Sequence, residues 1–370
     1  MQSHIENSYF VSAILGLVLS FTLALTFAAL FKYYSAKDLN IQKKRAAHSR
    51  PTSRLGGVAV CLSILCVITT QNHSWQFGIA ISALPIFCVG LLEDFDRPLP
   101  PKFRLAVGAL SATMFIGFKG HFITYVGFEW GNIVLSFTPI AILFTIFCVV
   151  ALINAFNFID GINGLASGKT MIVSFALMWL AATYKEPHLT LMGTAIFFAS
   201  LGLFMLNYPQ GRIFLGDAGA YTLGFLLAVS LITLQSKHAE ISAWSILLLI
   251  FWPIADMGHA ILRRRLSGRR SDRPDKLHFH HVIMRSLIIA SRGNISKEWA
   301  NPLATAIILP MAALPVVLGV VCNQNNGLCM ALFLGFALLF ACTHSWVINF
   351  MHRRKYAMGS VKKESFPETN

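Results

Sequence analysis

The chain has 370 residues, of which 55% are hydrophobic and 12% are charged. A soluble globular domain carries about 25% charged residues, so this composition excludes a soluble protein and predicts a polytopic membrane protein. The formal net charge of +14 fits basic residues that flank membrane spans and face anionic lipid, and no nucleic-acid partner is expected.

Hydropathy predicts an all-α fold of about ten to eleven transmembrane helices. The predicted spans are, in chain order, 8–31, 55–70, 76–92, 104–118, 133–153, 170–183, 188–206, 217–234, 241–262, 301–321 and 328–350. Two of these spans, 104–118 and 170–183, are short, which leaves the count open by one. Pro253 is expected to kink the span at 241–262.

The distribution of Lys and Arg predicts the orientation of the chain. With the N-terminus outside, the inside segments are 32–54, 93–104, 154–169, 207–217, 263–300 and 351–370. These segments hold 27 of the 30 Lys and Arg residues, as the positive-inside rule requires. We therefore expect one membrane domain, 1–351, whose functional loops are cytoplasmic, followed by a flexible, basic, cytoplasmic tail at 352–370.

The first inside segment ends in the sequence PTSRLGG at 51–57. It combines turn residues and hydroxyl groups with the guanidinium of Arg54, close to the start of a span. Backbone N–H groups in such turns, together with an arginine, bind phosphate well. The segment is therefore predicted to contact a phosphate group.

Three carboxylates follow the third span, at Glu93, Asp94 and Asp96. Carboxylates clustered at the end of a span indicate a bound cation, or a phosphate that is bound through a cation. An ordinary acidic helix end, paired with Arg97 and Lys102, is the alternative.

A polar stretch at 154–168 interrupts the long apolar run that precedes it. Asn154, Asn157 and Asp160 recur every three residues, so on a helix they lie within an arc of about 120°. Three glycines follow, at 161, 164 and 168, and they permit an irregular backbone or the close approach of a ligand. The stretch is predicted to bind a ligand; a capped helix end with a glycine stop is the alternative.

Asp217 lies between two glycines at the start of an otherwise apolar span. An unpaired carboxylate in such a place is costly. A bound Mg²⁺ would neutralise it, and an N-capping role is compatible with metal binding.

The longest inside loop contains three histidines within four residues, His278, His280 and His281. Zinc is an alternative, but the loop has no nearby cysteine and no HExxH pattern. Contact with phosphate and sugar, through histidine and arginine donors, is the favoured interpretation. Asp256, in the span before the loop, either pairs with an arginine or lines the site.

Together these motifs resemble the polyprenyl-phosphate N-acetylhexosamine-1-phosphate transferases of glycosyltransferase family 4. The resemblance rests on NxxNxxDGxxGL at 154–165, FxGDxG at 214–219 and DKxHxHH at 275–281. It implies a multi-pass enzyme of the bacterial inner membrane that moves a phospho-sugar from a UDP-sugar to undecaprenyl phosphate and releases UMP. Mg²⁺ is the implied cofactor, with Mn²⁺ as an alternative. The HxHH form is more similar to the O-antigen-initiating type than to the peptidoglycan translocase.

The resemblance also implies roles for individual residues. The implied metal ligands are Asp217 and Asp160. The implied catalytic residues are Glu93, Asp94, Asp160, His278, His280 and His281. The implied substrate-binding residues are Asn154, Asn157, Asn163, Asn207, Phe214, Arg54, Arg212 and Lys276, with Phe214 stacking on uracil. Glu93 and Asn163 stand where the family usually has aspartate, which leaves their roles open.

The implied partners are a UDP-N-acetylhexosamine, undecaprenyl phosphate and the lipid bilayer, and a homodimer is left open. The sugar is also open among GlcNAc, GalNAc, QuiNAc and FucNAc. Because a phosphate monoester has a second pKa near 6, the acceptor needs little help from a base, and we expect Asp94 to position groups; a phospho-enzyme on Asp94 is the alternative. A transporter of a phosphorylated or metal-bound solute is the alternative function, but it would need charges near mid-span.

Overall fold

The computed structural model describes residues 2–37, 52–69, 74–266 and 277–364. Within these ranges the regular secondary structure is helical, which confirms the all-α prediction. The helices are α1 (Gln2–Lys37), α2 (Gly56–Thr69), α3 (Ser74–Asp94), α4 (Pro101–Lys119), α5 (Glu129–Leu135), α6 (Thr138–Ile159), α7 (Leu165–Thr183), α8 (Pro187–Asn207), α9 (Gly216–Lys237), α10 (Ala243–Leu249), α11 (Phe251–Leu266), α12 (Phe279–Ala290), α13 (Lys297–Val321) and α14 (Asn326–Glu364).

Fewer helices can cross a membrane than the ten to eleven predicted. In the described part of the chain, eight are long and apolar enough, and α10 with α11 makes a ninth if the bent pair is one span. Helix α2 has only 14 residues, or roughly 21 Å of length, which is short for a bilayer core. Helix α4 carries Lys102, Arg104 and Lys119, which lower its hydropathy. Both are nevertheless helical where a span was predicted.

Helix α9 forms the centre of the bundle and is buried along nearly its whole length. Helices α2, α3 and α6 pack against it. The contact with α3 is very close: a Cβ atom at Gly90 would overlap the backbone of Ala218. Small residues allow membrane helices to approach in this way. The end of α3 is thereby brought against the beginning of α9.

Helices α1 and α14 lie at the edge of the bundle, and many of their apolar side chains are exposed. Examples are Phe10 and Leu30 on α1, and Leu338 and Trp346 on α14. Exposed apolar surface of this extent marks a surface that contacts a membrane or another protein. It agrees with helices that face lipid.

The span predicted at 241–262 is broken. Helix α10 ends at Leu249, α11 begins at Phe251, and the two helices differ in direction by 84°. Pro253 was predicted to kink this span, and it lies in the first turn of α11, where a missing N–H is tolerated. The break is therefore sharper than a kink and begins just before the proline.

Candidate active site

The acidic end of α3 caps the beginning of α9. The carboxylate of Asp94 accepts hydrogen bonds from the backbone N–H groups of Asp217 and Ala218, both at 2.9 Å. A carboxylate at a helix N-terminus satisfies free N–H groups and interacts favourably with the helix dipole. Through the first of these bonds, Asp94 fixes the position of the Asp217 backbone. Its predicted catalytic role stays a prediction.

Asp217 is also held from α6. The side-chain amide of Asn157 donates a hydrogen bond to Oδ1 of Asp217, although the two residues are 60 positions apart in the chain. The motif at 154–165 and the motif at 214–219 therefore meet through this contact. We call the end of the bundle where α3, α6 and α8 end, and where α7 and α9 begin, the motif side.

Asp160 follows the last residue of α6 and joins this acidic group. Burial raises the pKa of its carboxyl to about 7, and the charges of Asp217 and Asp94 act in the same direction. The Gly216 N–H and the charge of Arg54 act against this rise. Neighbouring carboxylates that raise each other's pKa would gain from a bound cation.

The acidic group fits Mg²⁺ in one particular mode. The described residues contain no cluster of three or more His, Cys, Asp or Glu side chains arranged to hold a metal ion, which does not fit a closed site built from protein ligands alone. Mg²⁺ commonly keeps several waters and binds through one or two carboxylates together with substrate phosphates. Asp217 and Asp160, which are close enough for their charges to interact, offer that donor set.

Glu93 is bound by its neighbours. Its Oε2 accepts hydrogen bonds from the Tyr221 hydroxyl at 2.8 Å and from Nη1 of Arg104 at 3.4 Å, and its Oε1 accepts from the Leu99 N–H at 3.3 Å. Arg104 also donates to the Tyr221 hydroxyl at 3.0 Å. The basic partner of Glu93 is therefore Arg104, on α4, and not Arg97 or Lys102.

The segment at 52–57 is fastened along the loop that precedes α9. The N–H of Phe214 donates to the Ser53 carbonyl at 2.8 Å, and the N–H of Gly56 donates to the Phe214 carbonyl at 3.0 Å. Arg54 is exposed and Phe214 is half-buried, so both reach the surface of the motif side. Their predicted phosphate and uracil contacts stay predictions. Lys276 lies outside the described residues.

Three of the predicted substrate-binding amides bind the protein itself. Asn207 is buried, accepts the Gly164 N–H and donates to the Ile213 carbonyl at 2.6 Å. The side chain of Asn163 donates to the Pro209 carbonyl at 2.9 Å, and that of Asn154 donates to the carbonyl of Val150 on its own helix at 2.8 Å. The first two amides hold the loops of the motif side in place. Their contacts with substrate stay predictions.

Arg212 lies at the exposed tip of the loop between α8 and α9. Its Nε donates to the Gln210 side chain at 2.7 Å. The guanidinium can therefore reach a ligand that approaches from the solvent. Its predicted substrate contact stays a prediction.

Asp256 connects the broken span to the histidines. Its Oδ2 accepts a hydrogen bond from Nδ1 of His278 at 3.0 Å, and its Oδ1 accepts from the Phe279 N–H at 2.9 Å. The buried carboxylate thus caps α12 and orients the His278 ring. The partner of Asp256 is thus a histidine and not an arginine, and a place in the lining of the site stays a prediction. Asp256 and His278 are 22 residues apart, so no short sequence motif predicts that they pair.

His280 is the most deeply placed of the three histidines. It is 1% exposed, and neither ring nitrogen has a hydrogen-bond partner among the described residues. Its Nε2 points at Gly161, where a Cβ atom would overlap the ring. Burial lowers the pKa of His280 to about 3, and the charges of His281 and His278 add to this effect. The imidazole is therefore neutral at pH 7, with one donor and one acceptor.

The histidines stack on the motif at 154–168. The ring of His278 lies 5.4 Å from that of Phe158 and 5.9 Å from that of His280, and the second pair is nearly parallel. The ring of His281 lies 4.1 Å from that of His280. The structure therefore brings the histidine segment and the Asp160–Gly161 turn together, as their predicted shared function requires.

The comparison with known families agrees with this arrangement. A family model described as glycosyl transferase family 4 matches residues 76–235, the region that contains Asp94, Asp160 and Asp217. Over this region the chain is similar to glycosyl transferase family 4. The predicted resemblance to this family is thus confirmed, whereas the O-antigen-initiating type stays a prediction.

Individual proteins are similar to this chain over most of their length. The chain is 29% identical over 317 residues to the undecaprenyl-phosphate alpha-N-acetylglucosaminyl 1-phosphate transferase of Escherichia coli (strain K12), covering 81% of this chain and 82% of that protein. It is 27% identical over 279 residues to the decaprenyl-phosphate N-acetylglucosaminephosphotransferase of Mycobacterium leprae (strain TN), covering 65% and 69%. It is 26% identical over 247 residues to a probable undecaprenyl-phosphate N-acetylglucosaminyl 1-phosphate transferase of Bacillus subtilis (strain 168), covering 65% and 68%.

Proposed function

We propose that this protein transfers an N-acetylhexosamine 1-phosphate from a UDP-sugar to undecaprenyl phosphate and releases UMP. The observation that carries the proposal is the meeting of Asn157, Asp160, Asp217 and His280 on the motif side of a membrane bundle. The relatives named above are transferases of N-acetylglucosamine phosphate to a polyprenyl phosphate. The product would start a lipid-linked glycan, and O-antigen is one candidate.

The chemistry is a phosphoryl transfer. An oxygen of the acceptor phosphate forms a bond to the sugar-bearing phosphorus of the donor, and the bond from that phosphorus to the bridging oxygen breaks. UMP leaves with that oxygen. Such transfers depend mainly on positioning and on electrostatic stabilisation. The acceptor is mostly a dianion at pH 7, because its second pKa is near 6.

Asp94 supports direct attack by the acceptor. Its side chain is buried, and each of its oxygens accepts a backbone N–H at 2.9 Å. A bond from one of these oxygens to phosphorus would withdraw its negative charge and weaken the cap of α9. The geometry therefore favours a positioning role for Asp94 over a phospho-enzyme.

Asp217 and Asp160 would hold a Mg²⁺ ion, with Mn²⁺ as an alternative. When bound, the ion would neutralise charge on the diphosphate. Asn157 would orient the Asp217 carboxylate through the hydrogen bond between their side chains. The neutral imidazole of His280 would offer a hydrogen bond at the Gly161 turn. Exposed Arg54 and Arg212 would contact phosphate, and Phe214 would stack on uracil.

We also propose that the motif side faces the cytoplasm of a bacterial inner membrane. The support is the bias of Lys and Arg toward the segments on this side. The alternative function, a transporter, is less well supported, because Asp94, Asp160, Asp217 and Glu93 gather at helix ends and not along a path through the bundle.

The product identifies the reaction. Purified protein in detergent would be incubated with undecaprenyl phosphate, Mg²⁺ and, separately, UDP-GlcNAc, UDP-GalNAc, UDP-QuiNAc and UDP-FucNAc, and the lipid fraction would be analysed by mass spectrometry. A lipid heavier by one N-acetylhexosamine phosphate, with an equal amount of UMP, supports the proposal and names the sugar. The relatives favour UDP-GlcNAc. Solute uptake into vesicles without any such lipid would support a transporter.

A further inference from the structure

A lysine is buried deep inside the bundle, away from the acidic group. Lys169 is the fifth residue of α7 and is 0% exposed. Its Nζ donates to the backbone carbonyls of Leu249 and Ala312, each at 3.2 Å. Among the described residues it has no acidic partner. An amine in this setting is costly and usually has a specific task.

The Leu249 carbonyl lies at the break between α10 and α11. In a continuous helix it would accept the N–H of residue 253, but Pro253 has no N–H. Backbone freed in this way inside a membrane must find another donor. Lys169 supplies one, and a cation is favourable at a helix C-terminus. The lysine therefore stabilises the broken form of the span.

The second carbonyl ties the break to the helix that supports the motif loop. Ala312 belongs to α13, and α13 also carries Asn301, which accepts the Asn163 N–H at 2.8 Å, and Thr305, which donates to the Asn163 carbonyl at 2.7 Å. Asn163 precedes Lys169 by six residues. The lysine thus lies where α7, α13 and the break meet.

The direction of α11 decides where the histidines lie. Seven residues after Leu249, α11 presents Asp256, which binds His278 and caps α12. A change in the break would move Asp256, and the His280 ring would move away from the Gly161 turn. We propose that Lys169 is a positioning residue, which holds the break so that Asp256 keeps the histidines against residues 154–168. Its effect on kinetics rests on the proposed transfer reaction, but its effect on structure does not.

The test compares Lys169→Met with Thr170→Val. The first keeps the volume and removes the donors; the second is a matched control, because Thr170 is adjacent and buried and its hydroxyl binds the Ala166 carbonyl of its own helix at 2.9 Å. Hydrogen exchange would be followed in the peptide that covers 277–290. We expect faster exchange in Lys169→Met, where the Asp256 bond to the Phe279 N–H is weakened, and wild-type exchange in Thr170→Val.

Kinetics give a second measurement. Misplacement by about 1 Å can cost on the order of a hundredfold in rate, so Lys169→Met should lower kcat by roughly tenfold to a hundredfold and leave the donor KM within about twofold. Lys169→Gln keeps an N–H donor on a side chain one atom shorter, and it should show a smaller loss. If Lys169→Met does not fold, Lys169→Gln tests the inference in its place. We then expect hydrogen exchange at 277–290 to be faster in Lys169→Gln than in the wild type.

Two results would overturn the inference. One is wild-type exchange at 277–290 in every folded variant of Lys169. The other is an equal effect of Thr170→Val and Lys169→Met on exchange and on kcat, because a general loss of stability would then be sufficient. If the wild-type protein releases no UMP at all, the proposed transfer fails, and the exchange experiment still decides the role of Lys169.

Discussion

The carboxylate of Asp94 accepts a hydrogen bond from the backbone N–H of Asp217 at 2.9 Å. Asp94 therefore caps the helix that carries Asp217. The second N–H comes from Ala218, also at 2.9 Å. Helix capping and the acidic character of the site are thus two consequences of one contact. Substitutions at Asp94 should therefore act through the placement of Asp217.

Asp94→Asn should weaken both stability and activity. An amide can accept one N–H with its oxygen, but its NH₂ group would face the other N–H, so the variant should lose about 1–2 kcal/mol of stability. UMP release should fall and should stay low at pH 8. Asp96→Asn is the control, because Asp96 is exposed with φ 58° and asparagine tolerates that conformation. Wild-type stability of Asp94→Asn, with activity that returns above pH 8, would instead indicate a general base.

Asn157→Ala should weaken the response to Mg²⁺. The Asn157 amide orients the Asp217 carboxylate, and loss of such an outer partner commonly costs about 10- to 100-fold in metal affinity. The measurement is the Mg²⁺ concentration that gives half-maximal UMP release. Asn154→Ala is a matched control on the same helix, since its amide binds Val150; its half-saturating Mg²⁺ should equal that of the wild type. Equal shifts in the two variants would refute the orienting role of Asn157.

Gly161→Ala should remove most activity with little effect on folding. A methyl group at this position would overlap Nε2 of His280, so the ring must move, and displacement of a positioned group can cost about a hundredfold in rate. Gly117→Ala, on α4, is the control because a Cβ atom there meets no atom within 4 Å. Wild-type kcat in Gly161→Ala would show that the contact between His280 and the turn is not needed.

Much of this site was predictable, because its chemistry lies in short, local motifs. The spacing of Asn157 and Asp160 and the setting of Asp217 between glycines identified the acidic group, and the three histidines were assigned to the same site. Which of these side chains contact each other was not predictable. Asn154 and Asn157 recur on one face of a helix, yet only Asn157 contacts Asp217, because helix packing and not periodicity decides which side chain meets α9.

The break at 249–251 shows a different limit. The residues between 241 and 262 are mostly apolar, so hydropathy predicts a single span and Pro253 predicts a kink. At the 84° bend, the Leu249 carbonyl accepts a hydrogen bond from another helix, from Lys169, which sequence reasoning assigned to an inside loop. The pairing of Asp256 with His278 likewise depends on how α11 returns to the bundle.

At the other end of α7, Glu186 should make stability depend on pH. Burial acts to raise the pKa of Glu186, but hydrogen bonds and charges from Lys237 and His238 outweigh it, and the pKa is lowered. The stabilisation is therefore complete above the ordinary pKa of 4.5 and is lost as the pH falls through the folded value. Glu186→Gln should have a lower melting temperature than the wild type at pH 7. In acid the two melting temperatures should be equal.

Lys237→Met is the partner control for this contact, which joins Nζ of Lys237 to Oε2 of Glu186 at 2.7 Å. The double variant should be no less stable at pH 7 than the less stable of the two single variants, because the pair would already be broken. A melting difference between Glu186→Gln and the wild type that persists unchanged in acid would contradict the assignment.

The most direct test of the account is UMP release by purified protein, with undecaprenyl phosphate and UDP-GlcNAc, as Mg²⁺ is varied. The account predicts release that requires both the lipid and the metal, that stops with a chelator, and that is lost in Asp217→Ala but retained in Glu129→Gln, an exposed site on α5. Release that continues without divalent metal, or that survives in Asp217→Ala at the wild-type rate, would contradict the central place given to Asp217.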